Sequence, residues 1–263
     1  DVSIAGPGFI NIKLNQLTWI NCIKEILLNE KNWDIIDIGK GKNVNLEYVS
    51  ANPTGPLHAG HARGAVFGDA LASLLIKVGY NVTKEYYIND AGSQIEKLIQ
   101  SSLLRYEECL GKKINTIPEG LYPGEYLKDV GIALFNKYGN SLKSYDDNKT
   151  YELVKETSLT IIMDMIKKDL LKLGIKMDVY TSEKMIISGE LLNNVISILK
   201  KKKLIYEGIL DPPKGVLSPD WETRKQLLFK SSDFGDDSDR ALKKSDGSWT
   251  YFATDMAYHL DKI

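Results

Sequence analysis

The segment SANPTGPLHAGHARGAVFGDA, residues 50–70, narrows the folds open to this chain more than any other stretch. The stretch before it, VNLEYV (44–49), alternates apolar and polar residues and reads as a strand. Pro53, Gly55 and Pro56 then interrupt the backbone. From Ala62 to Val78 the apolar residues Ala65, Leu71, Leu74, Leu75 and Val78 recur at helical spacing, with Gly79 as a stop. Downstream, NVTKEYYI (81–88) is rich in β-formers, and NDAGSQIEKLIQSSLLRYEECL (89–110) opens with capping residues and continues as a helix. Strand, turn, helix, strand, helix is the repeating unit of a parallel sheet with crossover helices.

Two of the chain's three histidines, His58 and His61, stand at the start of that first helix with Gly60 between them. A helix N-terminus carries unpaired N–H groups and partial positive charge, and so attracts phosphate. Imidazoles placed three residues apart face the same side of a turn, where both can donate to phosphate oxygens as negative charge builds. Gly60 has no side chain and lets a base or ribose approach the backbone. The competing explanation is that both histidines are ordinary polar residues at a helix start.

The remainder of the chain sets the context. GPGFINIKL (6–14) reads as a strand after a Gly-Pro turn, and Asn15 to Asn32 as a helix. Residues 111–123 are loop-like. Helices are expected at 124–138, 149–173 and 189–202, and a short strand at 177–181. A β-rich part follows, with LIYEGIL, a DPPKG turn and QLLFK; SDGSWTYF reads as a hairpin turn, and a helix begins at Tyr251. The run Lys200 to Lys203 fits a solvated helix end. With 34 basic and 35 acidic residues among 263, the balance neither demands nor excludes a polyanionic partner. Cys22 and Cys109 form no CxxC pair, which argues against a zinc ribbon or redox motif and for a reduced, cytoplasmic setting. No metal site is expected in the chain itself. No apolar run is long enough to span a membrane, and DVSIAGPGFI lacks the form of a signal peptide.

The stretch LEYVSANPTGPLHAGHARGAVFGDALASLL resembles the signature region of class I aminoacyl-tRNA synthetases, in particular the arginyl enzymes. GPGFINIKL, YYINDAGSQI, DFGDDSDRAL and SDGSWTYFATDMAYHLDKI extend the resemblance from Gly6 to Ile263. It implies an α/β fold: the first half of a Rossmann-like parallel sheet with an inserted α+β subdomain. The implied layout is the end of an N-terminal additional domain at 1–14, a linking helix and loop at 15–43, the first half of the catalytic core at 44–110, the insertion at 111–230 and a return to the core at 231–263. The implied reaction is ATP-dependent activation of L-arginine to arginyl-adenylate and transfer to tRNA(Arg), with Mg²⁺ on the phosphates.

By the same resemblance His58, Gly60 and His61 bind ATP, and the two histidines serve the chemical step. Glu47 and Asn52 meet the amino acid at its α-amino end. Between Glu47 and Asp255 as the carboxylate for the guanidinium, whose parallel donors suit one carboxylate, the Tyr-x-x-x-Asp pair Tyr251 and Asp255 is favoured. Asp90 and Gln94, in NDAGSQ, are weaker candidates for the same cleft. The family's alternative lysine just before His-x-Gly-His is missing from Pro53-Thr54-Gly55-Pro56, and no KMSKS-like stretch or helical anticodon-binding domain is found, so the resemblance implies a partial catalytic core, inactive alone, whose second signature (KMSKS) lies outside these residues. The complete enzyme is expected to be a cytoplasmic monomer with no DNA or membrane partner. Two rivals remain: a small nucleotidyltransferase, which uses the same His-x-Gly-His, and a non-catalytic synthetase-like module that only binds tRNA.

Overall fold

The computed structural model describes residues 1–29, 37–188, 190–210 and 224–262. The last residues of the expected first helix and the DPPKG turn lie outside the described residues. The chain divides into two compact units, Asp1–Leu46 with Asp69–Thr83, and Glu47–Gly68 with Lys84–Ile263.

In the first unit, β1 (Val2–Ala5) and β2 (Phe9–Ile12) form an antiparallel hairpin in which Val2 faces Ile12 and Ala5 faces Phe9. The turn is Gly6-Pro7-Gly8, with both glycines at positive φ. Helix α1 (Gln16–Asn29) follows, its first turn capped where the side chain of Asn15 accepts from the Leu17 N–H at 3.0 Å. Gly39 and Gly79 bring two backbone segments into direct contact. The Gly39 N–H donates to the Val78 carbonyl at 2.7 Å, and a Cβ on Gly39 would lie 2.5 Å from the Gly79 carbonyl carbon. Only glycine permits that approach.

The second unit holds the candidate site residues, including Glu47 at the end of β3 (Asn43–Glu47), together with most of β4 (Asn81–Ile88) and all of β5 (Val179–Ser182). The three strands form one sheet in that order. β4 and β5 run parallel, with Glu85 opposite Val179 and Ile88 opposite Ser182. The strand expected at 177–181 is thus a neighbour of β4, although about 90 residues separate them. Those residues are the crossover: helices α3 (Ser93–Cys109), α4 (Tyr126–Tyr138) and α5 (Asp147–Lys172). The two-residue alternation of β4 then sorts the interior. Tyr86 and Ile88 join a core with Ile95, Leu98, Leu127, Leu134, Ile162 and Ile166, whereas Tyr87 joins a second core with Ile186, Leu192, Val195, Leu242, Ala257 and Tyr258.

That second core is covered by α6 (Glu183–Ser188), α7 (Glu190–Lys201), α8 (Tyr251–Asp261) and an antiparallel sheet of β6 (Ile205–Gly208), β7 (Gln226–Phe229) and β8 (Arg240–Ala241). The expected hairpin around SDGSW is present, closed by the Lys243–Trp249 bridge. α8 starts where expected because Thr250 caps it, accepting from the Ala253 N–H. α6 was not anticipated: six residues are too few for a periodic signal. The helix expected from Ala62 starts earlier. It is α2 (Ala59–Lys77), because the His58 carbonyl already accepts from the Ala62 N–H at 3.0 Å and so opens the helical ladder.

Candidate active site

His58 is therefore the capping residue of α2, and His61 lies inside its first turn. The two side chains form a reciprocal cap. Nδ1 of His58 accepts from the Gly60 N–H at 3.1 Å and the His61 N–H at 3.4 Å, while Nδ1 of His61 accepts from the His58 N–H at 3.4 Å. This is the geometry of a capping box built from imidazoles. The rings stack with centroids 3.6 Å apart and planes 19° from parallel. Because Nδ1 acts as acceptor in both rings, Nε2 carries the hydrogen, and each imidazole presents one N–H donor. Desolvation, then the neighbouring His58, hold the His61 pKa below the ordinary histidine value. Capping and phosphate recognition are thus compatible uses of the same pair: one nitrogen serves the helix and the other is left for a ligand.

The loop between β3 and this helix is held by strain and hydrogen bonds. Val49 and Ser50 both have positive φ, 67° and 38°. Each such residue costs on the order of 1–3 kcal/mol, and a β-branched valine is an especially poor occupant. Ser50 Oγ accepts from the Tyr87 N–H at 3.1 Å and donates to Glu47 Oε1 at 3.0 Å. The Tyr86 hydroxyl donates to the Ala51 carbonyl at 2.7 Å, and the Tyr126 hydroxyl to the Thr54 carbonyl at 2.6 Å. Gly55 lies against that Tyr126 ring, where a Cβ would stand 3.0 Å from the hydroxyl oxygen. The segment between Glu47 and His58 is therefore fixed from both β4 and α4.

Glu47 and Asn52 flank the strained turn. Asn52 Nδ2 donates to Gln94 Oε1 at 2.7 Å, so Gln94, in the first turn of α3, orients Asn52. The second oxygen of Glu47 accepts from Lys262 Nζ at 2.7 Å. Asp255 belongs to the same electrostatic group. Desolvation, and then repulsion from Glu47, raise its pKa, with His259 opposing. Glu183, 4 % exposed, behaves alike: desolvation, then Asp90 and Asp255, push its pKa up, and Lys244 opposes. Desolvation, then Glu183, Asp255, Asp90 and Glu47, raise the pKa of the Tyr87 hydroxyl. Four carboxylates thus act electrostatically on one tyrosine of β4. Tyr251 precedes Asp255 by one turn of α8, and a pocket of about 170 Å³ is lined by Gly92, Glu183, Lys244, Trp249, Tyr251 and Thr254. Clustered, partly desolvated carboxylates repel one another and favour a bound cation.

Asp90 does not cap α3. Gly92 is the capping residue of α3 and provides no side-chain cap. Asp90 instead accepts from Ser182 Oγ at 2.6 Å and from the Lys184 N–H at 2.9 Å, tying the loop after β4 to the start of α6. Glu183, Ser50 and Lys262 escaped the sequence reading. No local pattern marks them, since their neighbours in space come from β3, β4 and α8. The structure pairs Asn52 with Gln94 and places Tyr251 and Glu183 in one pocket, while Glu47, Asp90 and Asp255 all act electrostatically on Tyr87. The His58–Gly60–His61 group forms a second cluster, and no hydrogen bond or ring contact among the described residues joins the two. No group of three or more metal-ligating side chains occurs among the described residues.

Comparison with known proteins places the chain in a family. Residues 22–262 match the family described as tRNA synthetases class I (R), catalytic domain. The chain is 55% identical over 262 residues to an arginine–tRNA ligase of Parvibaculum lavamentivorans and 56% identical over 263 residues to one of Wolbachia pipientis subsp. Culex pipiens. In both cases 100% of this chain is covered but only 45% of the relative, so the chain spans about half the length of the curated relatives it matches. A solved Campylobacter jejuni structure described as a proposed arginyl-tRNA synthetase superposes with a TM-score of 0.75 at 36% identity, covering 93% of this chain and 50% of that one. The Thermus thermophilus arginyl-tRNA synthetase shares the fold, with a TM-score of 0.60 at 20% identity over 99% of this chain and 41% of that one. With the family match running from Cys22 to Lys262, through both histidines and the Tyr251–Asp255 pair, the chain belongs to the class I (R) tRNA synthetase catalytic-domain family.

Proposed function

We propose that the protein carrying this chain activates L-arginine with ATP and transfers it to tRNA(Arg), and that this chain supplies the amino-acid pocket and one wall of the nucleotide site. The observation that carries the reading is a pocket that Glu183 and Tyr251 line together, one helical turn from Asp255, with Glu47 joined through Ser50 to the Tyr87 backbone and the carboxylates Glu47, Asp255 and Glu183 all acting electrostatically on Tyr87. A guanidinium and an α-ammonium are two cations on one substrate, and this part of the chain offers carboxylates to both. Asp255 and Tyr251, with Glu183 behind them, take the guanidinium; Glu47 and Asn52 take the α-amino end. The Nε2–H groups of His58 and His61, with Gly60 and the N-terminus of α2, suit the phosphates of ATP. Mg²⁺ would screen charge on those phosphates.

The arginine carboxylate oxygen then attacks the α-phosphorus, and pyrophosphate leaves. The chain's part is positioning and charge stabilisation, so no protein nucleophile is required. The same reading assigns 1–14 to an N-terminal domain, 15–43 to a link, 44–110 and 231–263 to the core and 111–230 to the insertion. It makes the complete enzyme a cytoplasmic monomer acting on RNA rather than DNA. A nucleotidyltransferase has no use for the carboxylate cluster, and a module that only binds tRNA has no use for it either.

The test is ATP–pyrophosphate exchange by the full-length protein with tRNA present. Exchange is expected to depend on arginine and to be lost in Asp255→Asn. Exchange indifferent to arginine, or an Asp255→Asn protein with unchanged arginine KM, defeats the reading.

A further inference from the structure

Lys262 occupies an unusual position for a lysine. It is the C-terminal capping residue of α8, yet its side chain turns inward and is only 13 % exposed. Its Nζ lies 2.7 Å from Glu47 Oε2, 3.6 Å from Glu85 Oε2 and 3.8 Å from the centroid of the Tyr258 ring. Each contact is anchored in turn. Glu85, buried in β4, accepts from the Thr181 hydroxyl of β5. Tyr258 packs on Tyr87 with ring centroids 4.6 Å apart. Glu47 has its other oxygen on Ser50. A buried ammonium is costly unless paired, and here two carboxylates and an aromatic face share it.

We propose that Lys262 is a positioning residue for the amino-acid site, fixing the Glu47 carboxylate so that it meets the substrate's α-ammonium. The inference rests on the reading that Glu47 binds that group. Glu47 stands at the end of β3 with Glu85 and Asp255 nearby, and left alone these carboxylates would drive one another apart. An ammonium seated between Glu47 and Glu85 removes that repulsion. With Ser50 on one oxygen and Lys262 on the other, the carboxylate is held at both oxygens and retains lone pairs for a further donor. Lys262 and Asp255 lie on the same helix segment, so a single element sets both ends of the amino-acid pocket: Asp255 by direct contact with the guanidinium, and Lys262 through Glu47.

The experiment uses the full-length protein and measures arginine KM, ATP KM and kcat in exchange with tRNA present, for Lys262→Met, Lys262→Arg, Glu47→Gln and the double variant Glu47→Gln/Lys262→Met. Lys262→Met is expected to raise arginine KM about tenfold, the effect of misplacing one charge-assisted hydrogen bond, with ATP KM unchanged. Lys262→Arg is expected to restore most of the loss. In the Glu47→Gln background, Lys262→Met is expected to add nothing further, because the two act through one contact. Should Lys262→Met fail to fold, Lys262→Gln is read in the same assay. An unchanged arginine KM overturns the proposal. So does a lowered one, which would mean that the lysine competes with the substrate for Glu47, or an equal effect with and without the Glu47 carboxylate. Glu47→Gln with wild-type arginine KM overturns the reading of Glu47 itself, and so separates the two failures.

Discussion

At the scale of single residues, the histidine pair has two duties that substitution can separate. His58→Ala removes the imidazole and the cap together, and loss of an N-terminal cap costs about 0.5–2 kcal/mol. His58→Asn removes the imidazole but leaves a good capping side chain. The expected outcome in the full-length protein is that both variants lose exchange activity, whereas only His58→Ala shows a lowered denaturation midpoint. Equal stability of the two would show that the imidazole contributes no cap. Asp255 has the opposite character. Its pKa is raised in the folded protein, chiefly by desolvation and then by Glu47. Just above the unfolded value of 3.8 the folded form therefore holds more protons than the unfolded form, and stability falls as pH rises through that window. Above it the penalty is fully present. Asp255→Asn is thus expected to raise the melting temperature at pH 7, with a gain that shrinks on acidification, while arginine binding is lost. A carboxylate kept charged at a cost to the fold is what a cation site requires.

At the scale of elements, α2 gives a case in which local propensity and packing oppose each other. Gly68 sits mid-helix, where alanine is ordinarily better by about 1 kcal/mol. Here a Cβ would fall 2.2 Å from Cγ of Tyr48 and 2.6 Å from its Cβ, near the root of a side chain that cannot swing clear. Gly68→Ala is therefore expected to destabilise by about 1–3 kcal/mol, the usual cost of overpacking, measured by chemical denaturation. A stabilised variant would mean that Tyr48 moves freely. The same contrast explains what was legible in the sequence. α1 and α2 are legible through apolar periodicity, α3 through the capping residues that open it, and β4 through its run of β-formers. β1 and α6 are not, being four and six residues long. The histidines stood out in the sequence as a candidate site because they sit in a recognisable strand–loop–helix setting. Their mutual capping was not, because it depends on side-chain rotamers. Glu183 and Lys262 were illegible for a different reason: their roles come from residues 47, 85, 90 and 255, brought together only by the sheet and α8.

At the scale of the whole chain, the exposed apolar residues are the main unanswered physical demand. In α1, Leu17, Trp19, Ile20, Ile23, Leu27 and Leu28 are all exposed; in the β1–β2 hairpin, so are Val2, Ile4, Phe9, Ile10 and Ile12; on α2, Val66, Phe67, Leu74 and Ile76 are. Scattered apolar residues on a surface are normal, but a helix face and a hairpin this rich in them are not left to water in a stable monomer. The relatives are more than twice as long as this chain, so a protein of that length has further polypeptide available to cover these faces. Two consequences follow from the same burial argument. The 263-residue chain produced alone is expected to self-associate and to bind a hydrophobic dye, with association weakened by a charge on the α1 face such as Ile23→Glu. The full-length protein is expected to do neither at the same concentration. Sedimentation velocity distinguishes the cases, and a monomeric, dye-silent 263-residue chain would mean that these side chains find cover within the chain itself.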